Sequence, residues 1–386
     1  MHHQQSIRIQ LTKYKSLTAM DLSSFEKEIL KTGFPLENEV SSSLRNKGWN
    51  VISNKYYVDD NETTVREIDL IAYKATQVQQ FSVYTALIIS CKKNESNVWA
   101  LLSRPLQKND PNRNWHPVHA WTNDKSLNFQ ISKPEFGTDY HARMGKKALS
   151  ALEDPSVDIF SFQEMNRQSG SPKNDKAIFD SITSLMKAQA YEVRALPTRK
   201  TAPSVYHFSL ISVVDTEVIN LLFSEGKIEA SEIESEQYLA NYIINKKQDI
   251  SRIRFIRASA FNKIISDYDK LHRFNCRVFS EYCDEFYDGA LEDRNRTKVF
   301  IEEFRKIVWW KLHWTLHKNL GRDLKREDID LSWNSINKYV EVNVPFGGDD
   351  LEFLNKDEES NKAIKKALSE VYRYHGPFHF SEDIPF

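Results

Sequence analysis

Val65-Arg66-Glu67-Ile68-Asp69-Leu70-Ile71-Ala72-Tyr73, followed by Tyr84-Thr85-Ala86-Leu87-Ile88-Ile89-Ser90-Cys91-Lys92-Lys93, is the stretch on which the fold turns. Both runs are rich in β-branched and aromatic residues, so both read as strands. In the first, side chains alternate between faces. Ile68, Leu70 and Ala72 share one side, while Glu67, Asp69 and Ile71 share the other. Asp69 therefore stands among apolar neighbours, where a lone carboxylate costs several kcal/mol unless it is paired or binds a cation. The second run is apolar until it ends in Ser90, Cys91 and Lys92, with Ser90 and Lys92 on one side. Antiparallel neighbours lie about 4.8 Å apart, so Asp69 and the end of this strand can face one pocket.

Working outward, Trp49 to Val58 reads as a preceding strand, with Asp59-Asp60-Asn61-Glu62 as the hairpin turn. Before it, Asp21 to Lys31 reads as a short helix ending near Gly33. Pro35 then opens a second helix, in which Leu36, Val40 and Leu44 form an apolar stripe and which Gly48 ends. At about 100° per residue, Glu37 lies about 20° from Leu44 at the stripe's border, and Glu39 falls on the solvent side. A helix followed by a three-strand meander is the local order.

From Trp99 to about Ser171 periodicity is poor, and a long insertion with one helix near Met144 to Leu152 is predicted. Lys176 to Val193 then reads as a helix and Tyr206 to Asp215 as a buried strand. The remainder, 216–386, reads as two short strands followed by long helices: Ala258 to Leu271, Arg294 to Asn319 and Glu358 to Tyr374. The acidic stretch Ile228 to Gln237 reads as a solvated loop or turn.

Length and composition bound the options. At 386 residues, 40% apolar and 28% charged, the chain is expected to be a folded, soluble protein with room for two domains or one core with a large insertion. Its longest apolar runs fall short of the roughly 20 residues that span a bilayer. Met1-His2-His3-Gln4-Gln5 lacks the pattern of a secretory leader, so the expectation is a cytoplasmic protein without membrane association. A net charge of −1 differs from that of small basic nucleic-acid-binding domains, so a nucleic-acid partner would require a local basic groove. Cys91, Cys276 and Cys283 form no CxxC and suggest neither a disulfide framework nor structural zinc.

Glu37, Asp69 and Lys92 together supply what phosphodiester hydrolysis requires. Two carboxylates can hold Mg²⁺ or Mn²⁺, which polarises the phosphate and lowers the pKa of an attacking water. A lysine amine orients that water and offsets charge in the transition state. A plain ion pair of Asp69 with Arg66 or Lys92 is the other way to account for the carboxylate.

Gly33-Phe34-Pro35-Leu36-Glu37, Gly48-Trp49-Asn50-Val51, Tyr56-Tyr57, Arg66 to Ala72, Leu87 to Lys93 and Trp99, in this order, resemble the core of the PD-(D/E)XK (restriction-endonuclease-like) nucleases. The resemblance covers about 66 residues, Phe34 to Trp99. It implies an α/β fold with an αβββαβ core over 20–215, interrupted by an insertion at about 100–173, and a mainly α-helical recognition or partner-binding part over 216–386. It assigns Asp69 as metal-binding, Lys92 as the catalytic lysine and Glu37 as the helix-borne acid. Ser90 stands where the family usually has Glu or Asp and can be only an auxiliary group, so either Glu37, with Glu67 as a second candidate, supplies the missing charge, or metal affinity is reduced, or the site is inactive. Lys93, Arg66 and Arg104 are the candidate nucleic-acid contacts. The function implied is a Mg²⁺- or Mn²⁺-dependent DNA endonuclease, in restriction or phage defence, with a protein partner or second copy on the C-terminal helices. The alternatives are an RNase and a catalytically impaired nucleic-acid-binding or scaffold subunit.

Other constellations are weaker. His116, His119 and His141 lack acidic or cysteine partners at zinc-site spacing, and His313 and His317 lack the intervening Glu of a metalloprotease helix, so packing is the expectation for all five. Trp309, Trp310 and Trp314 read as core or interface anchors that could also stack bases. Arg252, Arg254 and Arg257 read either as phosphate contacts or as the exposed basic face of a strand.

Overall fold

The computed structural model describes residues 22–59, 64–107, 114–144 and 149–383. Residues 60–62 of the expected hairpin turn, Asp21 of the first helix and 145–148 of the helix expected near Met144 lie outside these.

Two helices, α1 (Leu22–Ile29) and α2 (Phe34–Asn46), precede the meander β1 (Asn50–Val58), β2 (Val65–Val78) and β3 (Phe81–Lys93). Pro35 sits in the first turn of α2, where its fixed φ suits the helix and its missing N–H costs nothing. Leu36, Val40 and Leu44 are buried as the stripe required, and Glu39 is exposed. β2 and β3 run several residues past the expected ends, because Lys74 to Val78 and Phe81 to Val83 continue the antiparallel ladder.

The insertion is more ordered than its composition suggests. It holds β4 (Asn97–Arg104), β5 (His119–Thr122), α3 (Lys125–Ile131), α4 (Phe136–Ala142) and β6 (Asp158–Asn166), and of the expected helix near Met144 the described part is a single 3-10 turn at Ser150–Leu152. Short elements stabilised by distant partners leave little local period to read. The pair α5 (Lys176–Arg199) and β7 (Ser204–Asp215) follows as expected.

The region after Asp215 departs from a mainly helical part. It contributes β8 (Val218–Ser224), β9 (Lys227–Ile233), β10 (Ser235–Ile244), β11 (Lys247–Arg257), α6 (Ala258–Tyr287), α7 (Arg294–Leu320), β12 (Asp330–Asn334), β13 (Tyr339–Val344), α8 (Asp349–Lys356), α9 (Glu358–Tyr372) and β14 (Phe378–Glu382). The acidic stretch expected as a loop is β9 and the start of β10; β9 is an almost wholly exposed edge strand, so its polar residues carry no alternation.

The fold is mixed α/β, built on mixed sheets. The central sheet has the order β1-β2-β3-β7-β11-β10, with β5 also pairing with β7. β3, β7 and β11 are parallel to one another, and the outer pairs are antiparallel. Helices α2 and α6 cover one face through a core that includes Leu44, Leu70, Leu87, Ile89 and Phe279. Helix α5 covers the other through Ile88, Ile182, Leu185 and Leu210, joined by Trp99 and Leu101 of the second sheet, β6-β4-β8-β9. Each fully buried aliphatic side chain contributes roughly 1.5–3 kcal/mol, so these two faces fix the sheet. Because β11 and α6 belong to this body, its boundary lies beyond Asp215. A separate core, with Phe304, Val308, Leu331, Val342 and Leu368, unites α7, α9 and the sheet β12-β13-β14. No helix among the described residues is long and apolar enough to cross a membrane.

Candidate active site

The ladder between β2 and β3 ends at Leu70 opposite Ile89. At the next position the Asp69 carboxylate takes over the ladder's role. Its Oδ2 accepts the Cys91 backbone N–H at 2.7 Å, the Ser90 hydroxyl at 3.3 Å and the Lys92 ammonium at 3.4 Å. Asp69 and Lys92 keep 21% and 32% of their side-chain surface exposed, so the pair is open to solvent on one side. Among the described residues no hydrogen bond reaches Oδ1 of Asp69. On the β1 side, Ser53 pairs with Leu70 and Lys55 with Ile68, so Asn54 faces Asp69. Asn54 has φ of 54°, a left-handed conformation that Asn tolerates better than most residues and that interrupts the strand here.

Glu37 reaches this point from the first turn of α2. Partial burial raises its pKa, the neighbouring charges of Asp69 and Glu67 raise it further, and Lys92 opposes them. A carboxylate in a first helical turn is normally helped by the helix dipole; here burial and like charge outweigh that help. The Glu37 carboxylate also makes no hydrogen bond to a described residue, while its backbone N–H donates to the Gly33 carbonyl at 3.2 Å. Glu67, Asp69 and Ser90 line a narrow cleft against Tyr57 and, from α5, Ser184, Leu185 and Ala188. Three carboxylates and one ammonium thus share one edge of the sheet. Among the described residues no group of three or more His, Cys, Asp or Glu side chains is disposed to hold a metal; Asp69 and Glu37 would supply two ligands and leave the rest to water and a phosphate, a mixture Mg²⁺ tolerates. Cys91 is excluded as a nucleophile, because burial pushes its thiol up and the charges of Asp69 and Glu37 push it further.

The nucleic-acid candidates fare differently. Lys93 lies one residue beyond the site, its Nζ 2.5 Å from the Leu30 carbonyl and 2.9 Å from Glu95. Arg66 pairs with Asp59 at 2.9 Å, which also holds Lys187 of α5. Arg104 sits on the second sheet, where Asp158 holds it at 2.7 Å and its guanidinium lies over Phe160, so it is committed away from the Asp69 cluster.

Sequence reasoning missed the cleft next to Lys93. An open volume of about 520 Å³ lies at the carboxyl ends of β3 and β7 and the start of α6, lined by Lys93, Arg167 and Arg257 as well as Glu95, Asp215 and Glu217. Ligands in parallel sheets collect at this end, but the residues come from four separated segments that no local pattern connects. Arg252 and Arg254 are neither an exposed basic face nor free phosphate contacts. Their side chains are 8% and 9% exposed, turned toward Asp154 and Asp267, because β11 is covered by α6 and the 149–154 segment.

The histidines are drawn together, with one carboxylate beside them: His116 Nε2 lies 3.8 Å from Asp154 Oδ1. His116 and His141 rings lie 4.7 Å apart, and His207 stacks on Tyr140. Burial lowers the pKa of His141 to about 4 and that of His207 to about 3. Trp309 donates to the Leu324 carbonyl at 2.8 Å and is half-buried, whereas Trp310 and Trp314 are exposed. His313 contacts Leu324, and His317 meets Asp323 at 3.0 Å. Compared with family models, with curated proteins and with solved structures, the chain matches none.

Proposed function

We propose that the chain is a divalent-cation-dependent nuclease of the restriction-endonuclease-like kind, acting on DNA at the Asp69 site. The observation that carries the reading is the pairing of Asp69 and Lys92 across adjacent strands at 3.4 Å, with Glu37 within reach of their charges. The order α2-β1-β2-β3, then α5-β7, supports the core that the resemblance implies.

In this reading Asp69 and Glu37 would hold Mg²⁺ or Mn²⁺. When bound, such a cation polarises a phosphate and acidifies a water. The chain's own groups do the rest. The Cys91 N–H and Ser90 hydroxyl fix Asp69 by engaging Oδ2, which leaves Oδ1 directed away from the ladder. Lys92 donates to a water and offsets the negative charge that builds on the phosphate oxygens. Lys93 and, in the cleft beyond it, Arg167 and Arg257 would meet the flanking backbone by exchanging their present partners, Glu95, Glu217 and Glu232, for phosphate.

The test is direct. Purified full-length protein with Mg²⁺ or Mn²⁺ is offered plasmid and linear DNA beside labelled RNA. Cutting that Asp69→Ala and Lys92→Ala abolish is the expected result, and the preferred substrate separates DNase from RNase. Metal-independent binding with no cutting of any of the three refutes the proposal in favour of a binding subunit that kept the fold and lost the acid at position 90.

A further inference from the structure

Helix α7 carries a second feature that the Asp69 site does not use. Ile307, Trp310 and Trp314 are 39%, 63% and 53% exposed. Their spacing of three and four residues places them on one face. The buried side of the same helix is already filled by Phe304, Val308, Leu312 and Leu316, so the indoles are not unfinished core. His313 extends the aromatic row, its ring 6.3 Å from Trp310 and 6.0 Å from His317 and nearly parallel to both.

The charges around this row are uneven. Glu302 is held by Arg305 and Arg326, Glu303 by Lys125, Glu359 by Lys311 and Asp323 by His317. Lys306 and Lys318 are exposed, and neither meets a carboxylate among the described residues. They stand twelve positions apart, about 18 Å along the helix axis. The face is thus an aromatic row with a free ammonium at each end; Glu302, Glu303 and Glu359 are paired with cations, Asp323 meets the His317 imidazole, and Glu327 meets no cation among the described residues.

We propose that this face of α7 binds single-stranded nucleic acid, with unpaired bases stacked on Trp310 and Trp314 and the backbone phosphates met by Lys306 and Lys318. The flat faces of exposed indoles match unpaired bases, which a duplex keeps stacked on each other. The free ammoniums call for a polyanion. An acidic protein would satisfy the charge but not the row of aromatic faces, and insertion into a bilayer favours more aliphatic surface than the single Ile307 provides. This binding is independent of Asp69, so the two proposals fail separately.

The experiment uses the full chain in EDTA with fluorescein-labelled oligo(dT), oligo(rU) and a duplex of equal length, read by polarisation across a salt series and by quenching of tryptophan fluorescence. Expected are binding of single strands in preference to duplex, a loss of at least fivefold for each of Trp310→Ala and Trp314→Ala, and recovery of most of it by Trp310→Phe. Lys306→Ala and Lys318→Ala are each expected to flatten the logarithmic salt slope by about 0.7. Both indoles are exposed, so folding is not at stake, and unchanged circular dichroism verifies this. The oligo(dT) and oligo(rU) arms separate DNA from RNA. Equal affinity for duplex, no effect of the tryptophan substitutions, a concentration-dependent dimer that those substitutions abolish, or tryptophan-dependent binding to phosphatidylserine vesicles would each overturn the proposal.

Discussion

Replacing Asp69 by Asn and by Ala separates a metal ligand from a structural ion pair. Oδ2 of Asp69 is the acceptor for the Cys91 N–H at 2.7 Å, in a residue only 5% exposed. Asp69→Ala leaves that amide without a partner and is expected to cost about 1–3 kcal/mol. The Lys92 contact adds little, because it is long and a third exposed. Asp69→Asn keeps an acceptor for the amide and removes one of the charges that raise the Glu37 pKa, so its stability in EDTA should lie within about 1 kcal/mol of the wild type. Metal reverses the ranking. At a hundredfold excess of Mn²⁺ over its Kd the wild type gains about 2.7 kcal/mol, and both variants gain almost nothing. Urea unfolding in EDTA and in Mn²⁺, alongside a cleavage assay, measures all of this. If Asp69→Asn keeps both the Mn²⁺ stabilisation and cutting, the carboxylate is not a ligand. If it is as unstable as Asp69→Ala in EDTA, pairing with Lys92 is what Asp69 is for.

Three further outcomes follow from the same geometry. Lys92→Met should abolish cutting while leaving Mn²⁺-induced stabilisation intact or increased, since it removes a positive charge from beside the ligands; loss of metal binding measured by calorimetry would contradict this. Ser90→Glu restores a carboxylate 4% exposed and next to Asp69, so it should tighten Mn²⁺ roughly tenfold while lowering stability in EDTA by about 1–3 kcal/mol; weaker Mn²⁺ binding would show that position 90 does not face the cation. Acid should destabilise the fold through His141 and His207, whose folded pKa values of about 4 and about 3 lie below the ordinary 6.5. The unfolded chain binds protons that the folded chain refuses, so stability is held above about pH 6.5 and falls as pH drops toward 4. Linkage gives about 2 kcal/mol per histidine between pH 7 and pH 5. His207→Phe should flatten the pH dependence of the urea midpoint, and an unchanged slope would show that His207 is not buried neutral.

The elements around the site were legible because each carries a strong local period. Leu36, Val40 and Leu44 marked α2, and the near-continuous apolar run of Leu87 to Ile89 marked a strand buried on both faces. Two carboxylates in the wrong company, Asp69 in a strand and Glu37 at a stripe's edge, pointed to one place. What could not be read depends on distant partners. The insertion's strand β4 is held by β6 and β8, both more than fifty residues further on, and neither the short apolar run of β4 nor the mixed, partly buried sequence of β6 shows an alternation that would mark these pairings. β9 looked like a loop because both its faces meet solvent. Arg104 looked like a phosphate contact because its partner, Asp158, lies across a bulged register in β6.

The charge count at the site bears on what Ser90 means. A purely structural pair of Asp69 and Lys92 would be neutral, and nothing else need be near. Here Glu37 and Glu67 stand within electrostatic reach of the same point, and the Glu37 pKa rises first through burial and then through the charges of Asp69 and Glu67, against which Lys92 acts. The cluster Glu37, Glu67, Asp69 and Lys92 carries a formal −2 when ionised, the charge that one divalent cation would neutralise. An acid at position 90 would make it −3 and add a carboxylate with almost no water to solvate it. In the proposed reading Ser90 is therefore compatible with metal binding rather than evidence against it: the hydroxyl holds Asp69 in place, and the negative charge has moved to the helix and to the exposed end of β2, where solvation makes it less costly to keep.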